Sequence, residues 1–275
     1  MSVTYEAVLD VSEDSVLFLS GLLHAERLRR GTRTGTRKLS TYKQAVLVLR
    51  WFLDDTRMSA LARDNGIGKS TAYDYRDEGI TVLAARRPSL HGALLAAKAA
   101  GHSHVIVDGT LIHTDRIATP GPTKGVDLWW SGKHKHHGGN IQVVSAPDGW
   151  PLWTSDVRPG REHDITAARA DPDLLARIAD WINEDGAHAL SDLGYEGEPE
   201  TFTIPFKKPK HSELTVDQQS YNAVHGALRC LGERANSLLK TTYKALRRQR
   251  GCPWRIGTIA AAALVLLHHE HARTT

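Results

Sequence analysis

The sequence predicts an α/β protein in which a mixed β-sheet flanked by helices follows an all-helical segment. Apolar residues have helical spacing in several stretches between residues 12 and 100. Runs with β-branched residues and turn signals follow between residues 103 and 209, and long helical patterns return after Thr215. A chain of 275 residues has room for one large domain with an appendage or for two modest domains.

The composition is that of an ordinary globular protein, with 41% hydrophobic and 24% charged residues. A net charge of +4 and a pI of about 9.1 are compatible with a polyanionic partner. The two cysteines, Cys230 and Cys252, form no metal-binding spacing and no disulfide framework, and the chain opens without a signal peptide pattern. The longest apolar run, residues 256–267, is shorter than the roughly 18 residues that a membrane span needs. We therefore expect a cytoplasmic protein without a membrane partner.

Residues 1–40 are predicted to form an N-terminal helix and a basic linker. Apolar residues with near-helical spacing follow a candidate N-cap at Ser12 or Asp14. Residues 29–38 are rich in Arg, Gly and Thr and lack apolar side chains, so we expect a mobile connector there.

Residues 41–100 are predicted to form a helix-turn-helix DNA-binding domain. An amphipathic helix is followed by a short helix, a turn at residues 65–68 and a second helix from about Ser70. In such a motif the second helix enters the major groove of DNA. The residues near its start that we expect to contact DNA are Lys69, Ser70, Thr71 and Tyr73. A pair of packed helices without a DNA contact is the alternative.

Residues 101–275 are predicted to form the α/β domain, which should remain folded when residues 1–80 are deleted. A buried strand, Val105–Val107, ends on Asp108. Strands at 140–146 and 150–155 flank a Pro-Asp-Gly turn and complete an antiparallel meander; a helical region, a short strand ending in Asp192 and a fifth strand at 201–209 follow. A capping box, Thr215 with Gln218, opens a helix to about residue 250, and residues 256–271 form a last helix.

This order of elements is that of the ribonuclease-H-like fold with a five-stranded mixed sheet. Its chemistry uses carboxylates on the first strand, after the fourth strand and on the long helix, and Asp108, Asp192 and Glu233 stand at these places. A buried carboxylate costs free energy unless it is paired, and three oxygen ligands suit Mg²⁺ or Mn²⁺. Two such ions about 3.5–4 Å apart serve phosphodiester chemistry. An aspartate that merely ends a strand is the alternative for Asp108.

Cations surround the candidate glutamate on the long helix. Arg229, Glu233, Lys240 and Lys244 fall on one side at 3.6 residues per turn. We interpret this stripe as a surface for the DNA backbone beside a metal site. A solvated helix with an Arg229–Glu233 ion pair is the alternative.

Asp164 is the rival of Asp192 for the second carboxylate. It follows the third strand and begins the next helical region, so we interpret it as an N-cap with an accessory contact to the site. His163 precedes it and is a second accessory candidate.

A cluster of basic residues precedes the second strand. Its members are Lys133, His134, Lys135, His136 and His137. Their spacing fits no zinc site, so Lys133 and Lys135 are predicted to lie in a basic loop near DNA.

Six stretches of the sequence resemble DDE transposases of bacterial insertion sequences, in the group related to the PIF/Harbinger elements. The stretches are VDGTLI, SGKHKHHGGNIQVV, PGREHDITAAR, SDLGYEG, IPFKKPK and LGERANSLLK, and the likeness extends from about residue 42 to about 270. The resemblance implies that Asp108, Asp192 and Glu233 are the catalytic triad. Arg229, Glu233 and Lys240 match an Arg-x3-Glu-x6-Lys pattern of related transposases, although Gly226 replaces the tyrosine that begins the wider pattern.

The resemblance also implies a function. The protein would bind terminal inverted repeats, hydrolyse the transposon ends with two Mg²⁺ or Mn²⁺ ions and join the 3′-hydroxyls to target DNA. Its partners would be double-stranded DNA and further copies of itself at the bacterial nucleoid. The alternatives are an inactive transposase-derived DNA-binding protein and a ribonuclease-H-like nuclease without strand transfer.

Overall fold

A computed structural model describes residues 8–275, apart from the side chains of residues 184 and 185, and confirms the α/β class. The α-helices of this range are α1 (Glu13–Arg29), α2 (Thr41–Asp54), α3 (Met58–Asp64), α4 (Lys69–Ala84), α5 (Leu90–Ala99), α6 (Asp164–Arg169), α7 (Leu174–Asp185), α8 (Val216–Thr242) and α9 (Ile256–Glu270). The strands are β1 (His104–Thr114), β2 (Trp130–Ser131), β3 (His136–Ser145), β4 (Pro151–Thr154), β5 (Arg158–Pro159), β6 (His188–Leu190) and β7 (Arg248–Gln249).

The N-terminal helices begin and end where local sequence signals place them. Ser12 caps α1 and accepts a hydrogen bond from the Ser15 backbone N–H, which confirms one of the two candidate caps. The 65–68 turn separates α3 from α4, and Gly66 adopts a left-handed conformation there with φ of 61°. Residues 81–100 contain the end of one helix and the whole of the next, because α4 ends at Ala84 and α5 begins after Pro88.

The connector at residues 29–38 is held against α4. Arg30 and Arg37 both form ion pairs with Glu78, whose side chain is buried. The Gln44 amide donates a further hydrogen bond of 2.7 Å to the same carboxylate. Arg37 is therefore anchored to α4, because a buried carboxylate requires cationic and hydrogen-bonding partners. The mobility of the connector stays a prediction.

Strand β1 lies at the centre of the sheet. It pairs with β3 in antiparallel register from Ile106–Ser145 to His113–Gly138, and β3 pairs with β4. This confirms the predicted antiparallel meander. On its other edge β1 is parallel to β6 over His104–Ile106 and to β7 over His113–Thr114.

The sheet differs from the predicted one in three respects. β1 continues through Asp108 to Thr114 because β3 stays paired with it. The described sheet has seven strands rather than five, because one of the expected strands is lost and β2, β5 and β7 are two-residue additions. The strand expected at 201–209 is reduced to a bridge between Leu190 and Thr203, and Pro205 and Pro209 lack the N–H groups that would extend it.

The C-terminal helices enclose the sheet. The Thr215–Gln218 capping box is present at the start of α8, as predicted. The helix ends at Thr242, earlier than expected, because the buried Tyr243 is extended with φ of −109° and ψ of 94°. α9 is buried along nearly its whole length between the sheet and the N-terminal helices. Among residues 8–275, the helices are all too short or too polar to cross a membrane.

Candidate active site

The candidate site lies on the edge of β1 between the two parallel partners of that strand. β6 pairs with β1 only as far as Ile106, and β7 begins to pair at His113. Asp108 lies in the interval, and Asp192 follows the end of β6. Ser191 directly follows β6, and its hydroxyl donates a hydrogen bond of 3.0 Å to the Val107 carbonyl of β1. The sheet thus opens where two carboxylates are adjacent.

One face of this interval is covered by α8. The Asn236 amide donates a hydrogen bond of 2.9 Å to Asp108 Oδ2. One turn further along α8, Lys240 Nζ donates to Thr110 Oγ1 at 2.6 Å and to the Leu111 carbonyl at 3.0 Å. Because Asp108 and Thr110 alternate with Gly109 along the strand, they share the face that α8 covers.

Asp164 reaches the same interval from the opposite face of the sheet. Its carboxylate accepts hydrogen bonds from the Asn140 amide at 2.8 Å and from Lys133 Nζ at 3.1 Å. A Cβ atom at position 109 would collide with Asp164 Oδ1, so only glycine fits on β1 beneath this carboxylate. The interpretation of Asp164 as the N-cap is wrong: His163 occupies the cap position, and Asp164 is the first residue of α6.

A buried polar chain links Asp164 to the segment that carries Asp192. Asn140 Oδ1 accepts from the Gln142 amide at 3.3 Å, and Gln142 Oε1 accepts from the Tyr195 hydroxyl. Tyr195 is fully buried and lies in the 3₁₀ turn that Asp192 caps by accepting a 2.8 Å hydrogen bond from the Gly194 N–H. A buried network in which each polar group has a hydrogen-bond partner holds its side chains in one arrangement.

The electrostatics of Asp108 reflect this crowding. Burial and the negative charge of Asp192 raise the pKa of Asp108 to about 6, and Asp164 adds to the effect. The cations Arg229 and Lys133 act in the opposite direction. Burial lowers the pKa of Lys133, but the carboxylates of Asp164, Asp192 and Asp108 outweigh it, so the net shift is upward. The site therefore attracts positive charge.

Glu233 lies on α8 one turn before Asn236, with its side chain directed to solvent. The side chain is 67% exposed and pairs with Arg229 at 3.2 Å. Among the described residues, no three acidic, histidine or cysteine side chains are arranged as a preformed metal cage. Of the three predicted carboxylates, the structure thus places Asp108 and Asp192 together, whereas Glu233 is paired elsewhere.

An open cavity of about 840 Å³ lies in front of Asp164 and Asp192. Lys133, His163, Asp164 and Asp192 contribute to its lining. Both accessory candidates therefore face the same space as the second predicted carboxylate.

The residues predicted to contact DNA have different environments. Lys69, Ser70 and Tyr73 are exposed at the start of α4, and Thr71 is half-buried. Lys135 is exposed in the turn between β2 and β3.

The cations of α8 and the segment after it are engaged within the protein. Lys240 is bound to β1, burial lowers its pKa, and Lys244 pairs with Asp54 at 2.9 Å. Arg229 pairs with Glu233.

Several residues of the site were not predicted from the sequence. They are Gly109, Asn140, Gln142 and Tyr195, and the role of Asn236 as a partner of Asp108 belongs with them. A signal for two of them exists, because Asn140 and Gln142 are polar residues on either side of Ile141, just before the apolar pair Val143 and Val144. The partners of these amides come from distant parts of the chain and follow only from the fold.

An α/β sheet that opens at a cluster of carboxylates is consistent with a nuclease-like fold. In comparisons of the sequence, the model of the family described as DDE superfamily endonuclease matches residues 107–268, more than half of the chain. The chain belongs to that family.

Among curated proteins, the chain is similar to the probable transposase for insertion sequence element IS702 of Microchaete diplosiphon. The two are 22% identical over 242 residues, which cover 86% of this chain and 83% of the relative. No solved structure matches the chain. These findings confirm the resemblance to DDE transposases of insertion sequences; the PIF/Harbinger subgroup stays a prediction.

Proposed function

We propose that the protein is a DNA transposase that binds terminal inverted repeats, hydrolyses the transposon ends and joins the freed 3′-hydroxyls to target DNA. The observation that carries the proposal is Asp108, buried at the open edge of β1 beside Asp192 and Asp164. Family membership and the similarity to a probable transposase support the same chemistry. A bacterial location at the nucleoid follows from this role.

Mg²⁺ or Mn²⁺ is the cofactor that these residues suit, and two ions are proposed. Asp108, Asp192 and Glu233 offer the hard oxygen ligands that these ions prefer. Asp108 is buried next to two further carboxylates, and its pKa stays raised although Lys133, Arg229 and Lys240 lie nearby, which fits a site that accepts additional positive charge. When bound, divalent cations activate an attacking hydroxyl and stabilise the departing oxygen.

The residues of the chain prepare this site in different ways. Asn236 and Asn140 orient Asp108 and Asp164, and the Gly194 N–H fixes one oxygen of Asp192. Glu233 forms an ion pair with Arg229, and its carboxylate would have to leave that arginine to become a metal ligand. Lys133 pairs with Asp164 at 3.1 Å, and its ammonium group would be available to a DNA phosphate if it left that carboxylate.

DNA binding is assigned to the helix pair α3–α4 as a helix-turn-helix. Lys69, Ser70, Thr71 and Tyr73 would contact the transposon ends, and Lys133, Lys135 and Arg229 would contact the backbone near the site. Lys240 and Lys244 are less available because both are engaged within the protein. In this proposal the chain consists of an N-terminal helix and linker (1–40), a DNA-binding domain (41–100) and a ribonuclease-H-like domain (101–275). Several copies of the protein would assemble on DNA.

The proposal is tested with the DNA that flanks the reading frame. Terminal inverted repeats there supply an end-labelled duplex, which the wild-type protein should cut at the transposon end in Mg²⁺ or Mn²⁺. Asp108→Asn should abolish cutting and keep gel-shift affinity, because only a carboxylate is lost. Asp115→Asn, which affects an exposed pair with Arg248, is the control and should cut normally. Absence of metal-dependent cutting by the wild type would contradict the proposal, and cutting without joining to a target plasmid would favour a nuclease.

A further inference from the structure

We propose that Asn236 is a positioning residue that holds the Asp108 carboxylate in the orientation needed to bind the divalent cation. This inference rests on the proposed function of the site. Asn236 would act by orienting Asp108 and by accepting a hydrogen bond beside the ion, and it would not contact DNA.

The close approach of α8 to β1 brings the amide within reach. Gly232 lies one turn before Asn236, and a Cβ atom there would be 2.6 Å from Ile106 Cγ2. Any larger residue would push the helix away from the strand. Lys240, one turn after Asn236, binds Thr110 on the same strand. The three α8 positions are four residues apart and therefore follow one face of the helix along β1.

The contact between Asn236 and Asp108 is selective for one carboxylate oxygen. The Asn236 amide nitrogen donates to Asp108 Oδ2, which leaves Oδ1 available to a cation. A neutral donor favours the ionised carboxylate without competing for the position of the metal as a lysine would. Metal-binding carboxylates are commonly held by such outer hydrogen bonds.

The second polar atom of Asn236 indicates a ligand in the space beside it. The residue is only 9% exposed, and its Oδ1 has no hydrogen-bond partner within the described part of the chain. An unpaired buried acceptor costs free energy, so a helix–strand contact alone would favour an apolar residue here. A water molecule bound to the cation next to Asp108 would donate the missing hydrogen bond.

The test compares Mn²⁺ binding with DNA binding in Asn236→Leu, which keeps the size of the side chain and removes both polar atoms. Electron paramagnetic resonance of free Mn²⁺ should give an affinity about 10- to 100-fold weaker than that of the wild type. The Mn²⁺ concentration for half-maximal cutting of the end duplex should rise in parallel, and saturating Mn²⁺ should restore much of the rate. Gel-shift affinity and melting temperature should not fall.

Asn222→Leu is the matched control on the same helix. Asn222 forms two side-chain hydrogen bonds with the backbone of Phe206, remote from Asp108, so its loss should leave Mn²⁺ affinity unchanged. If Asn236→Leu does not fold, Asn236→Ser is measured instead, since serine is too short to reach Asp108 and should weaken Mn²⁺ binding equally.

Wild-type Mn²⁺ affinity in a folded Asn236 variant would overturn the inference. Failure of both variants to fold would also overturn it, because the role would then be structural. A wild-type protein that neither binds Mn²⁺ nor cuts DNA would instead refute the proposed function on which the inference depends.

Discussion

The buried carboxyl group of Asp108 makes the stability of the protein depend on pH in a defined direction. Its pKa is about 6 in the folded state and 3.8 in the reference state. Between these values the folded protein binds more protons than the unfolded chain, so stability falls as pH rises through the interval. Well above pH 6, Asp108 is ionised in both states and causes no further loss of stability. A site that needs an ionised Asp108 is therefore destabilising at neutral pH when no cation is present.

Asp108→Asn should therefore raise the free energy of unfolding at pH 7 by about 1–3 kcal/mol and have little effect below pH 4. Urea denaturation without divalent ions, repeated from pH 4 to pH 7, measures the difference. Asp115→Asn should show no such trend, since Asp115 is half-exposed beside Arg248. A stabilisation of equal size at every pH would show that packing, not ionisation, is responsible.

Gly109 is a second residue whose replacement should affect both stability and activity. Alanine would bring its Cβ onto Asp164 Oδ1 and displace the carboxylate from Asn140. We expect Gly109→Ala to cost about 1–3 kcal/mol and to reduce end cleavage strongly. Gly226→Ala on the exposed side of α8 is the control, because a Cβ there meets no atom. Cleavage by Gly109→Ala at the wild-type rate would mean that Asp164 is not needed.

Among the helices, α4 offers an exposed cation for DNA at its start. Lys69 is exposed at the first position of α4, where a cation is unfavourable next to the helix dipole. Lys69→Ala should weaken binding to all duplexes and lower the salt slope by about one unit, as expected for one lost phosphate contact. Gel shifts at several salt concentrations measure this. Lys43→Ala, which alters an exposed lysine of α2, should leave the slope unchanged.

Thr71→Ala should act differently from the lysine variant. A hydroxyl near the start of a recognition helix reads base edges, so its loss should alter the preference among end sequences more than the total affinity. Competition between the end duplex and a scrambled duplex separates the two effects. An unchanged preference would assign Thr71, which is half-buried, to packing.

Local signals predicted the elements better than the site. The capping box of α8 and the turn before α4 depend on neighbouring residues, and both are present. The prediction of a fifth strand at 201–209 is wrong, because its prolines cannot donate the backbone hydrogen bonds of a strand, whatever the β preference of its apolar residues. Asp164 was misassigned because a helix-starting aspartate normally caps its own helix, whereas this one is held by Lys133 and Asn140 from distant positions. Contacts of that kind are not contained in a local pattern.

For the whole molecule, α9 connects the N-terminal helices to the sheet. It packs on α4 and α1 on one side and on β4 and α8 on the other, and its residues from Ile259 to Leu267 are buried. A helix that is apolar all round requires cover on all sides. Polar contacts cross the same boundary: Arg255 pairs with Asp77, and Glu270 accepts hydrogen bonds from Ser12 and Ser15. These contacts tie the two proposed domains into one packed unit.

Deletion of residues 1–80 should therefore do more than remove DNA recognition. The sequence alone led us to expect a folded remainder, but the deletion would expose α9 where α4 and α1 now cover it. Each large apolar side chain exposed in this way costs about 1.5–3 kcal/mol, and a few such losses consume the stability of a typical domain. We expect the truncated protein to bind a hydrophobic dye, to aggregate and to melt without a cooperative transition.

The full-length double variant Asp77→Ala/Arg255→Ala is the control: it removes one ion pair across the boundary, keeps the apolar cover and should still melt cooperatively. A truncated protein that is monomeric, melts cooperatively near the wild-type temperature and binds no dye would instead establish residues 81–275 as an independently folding unit.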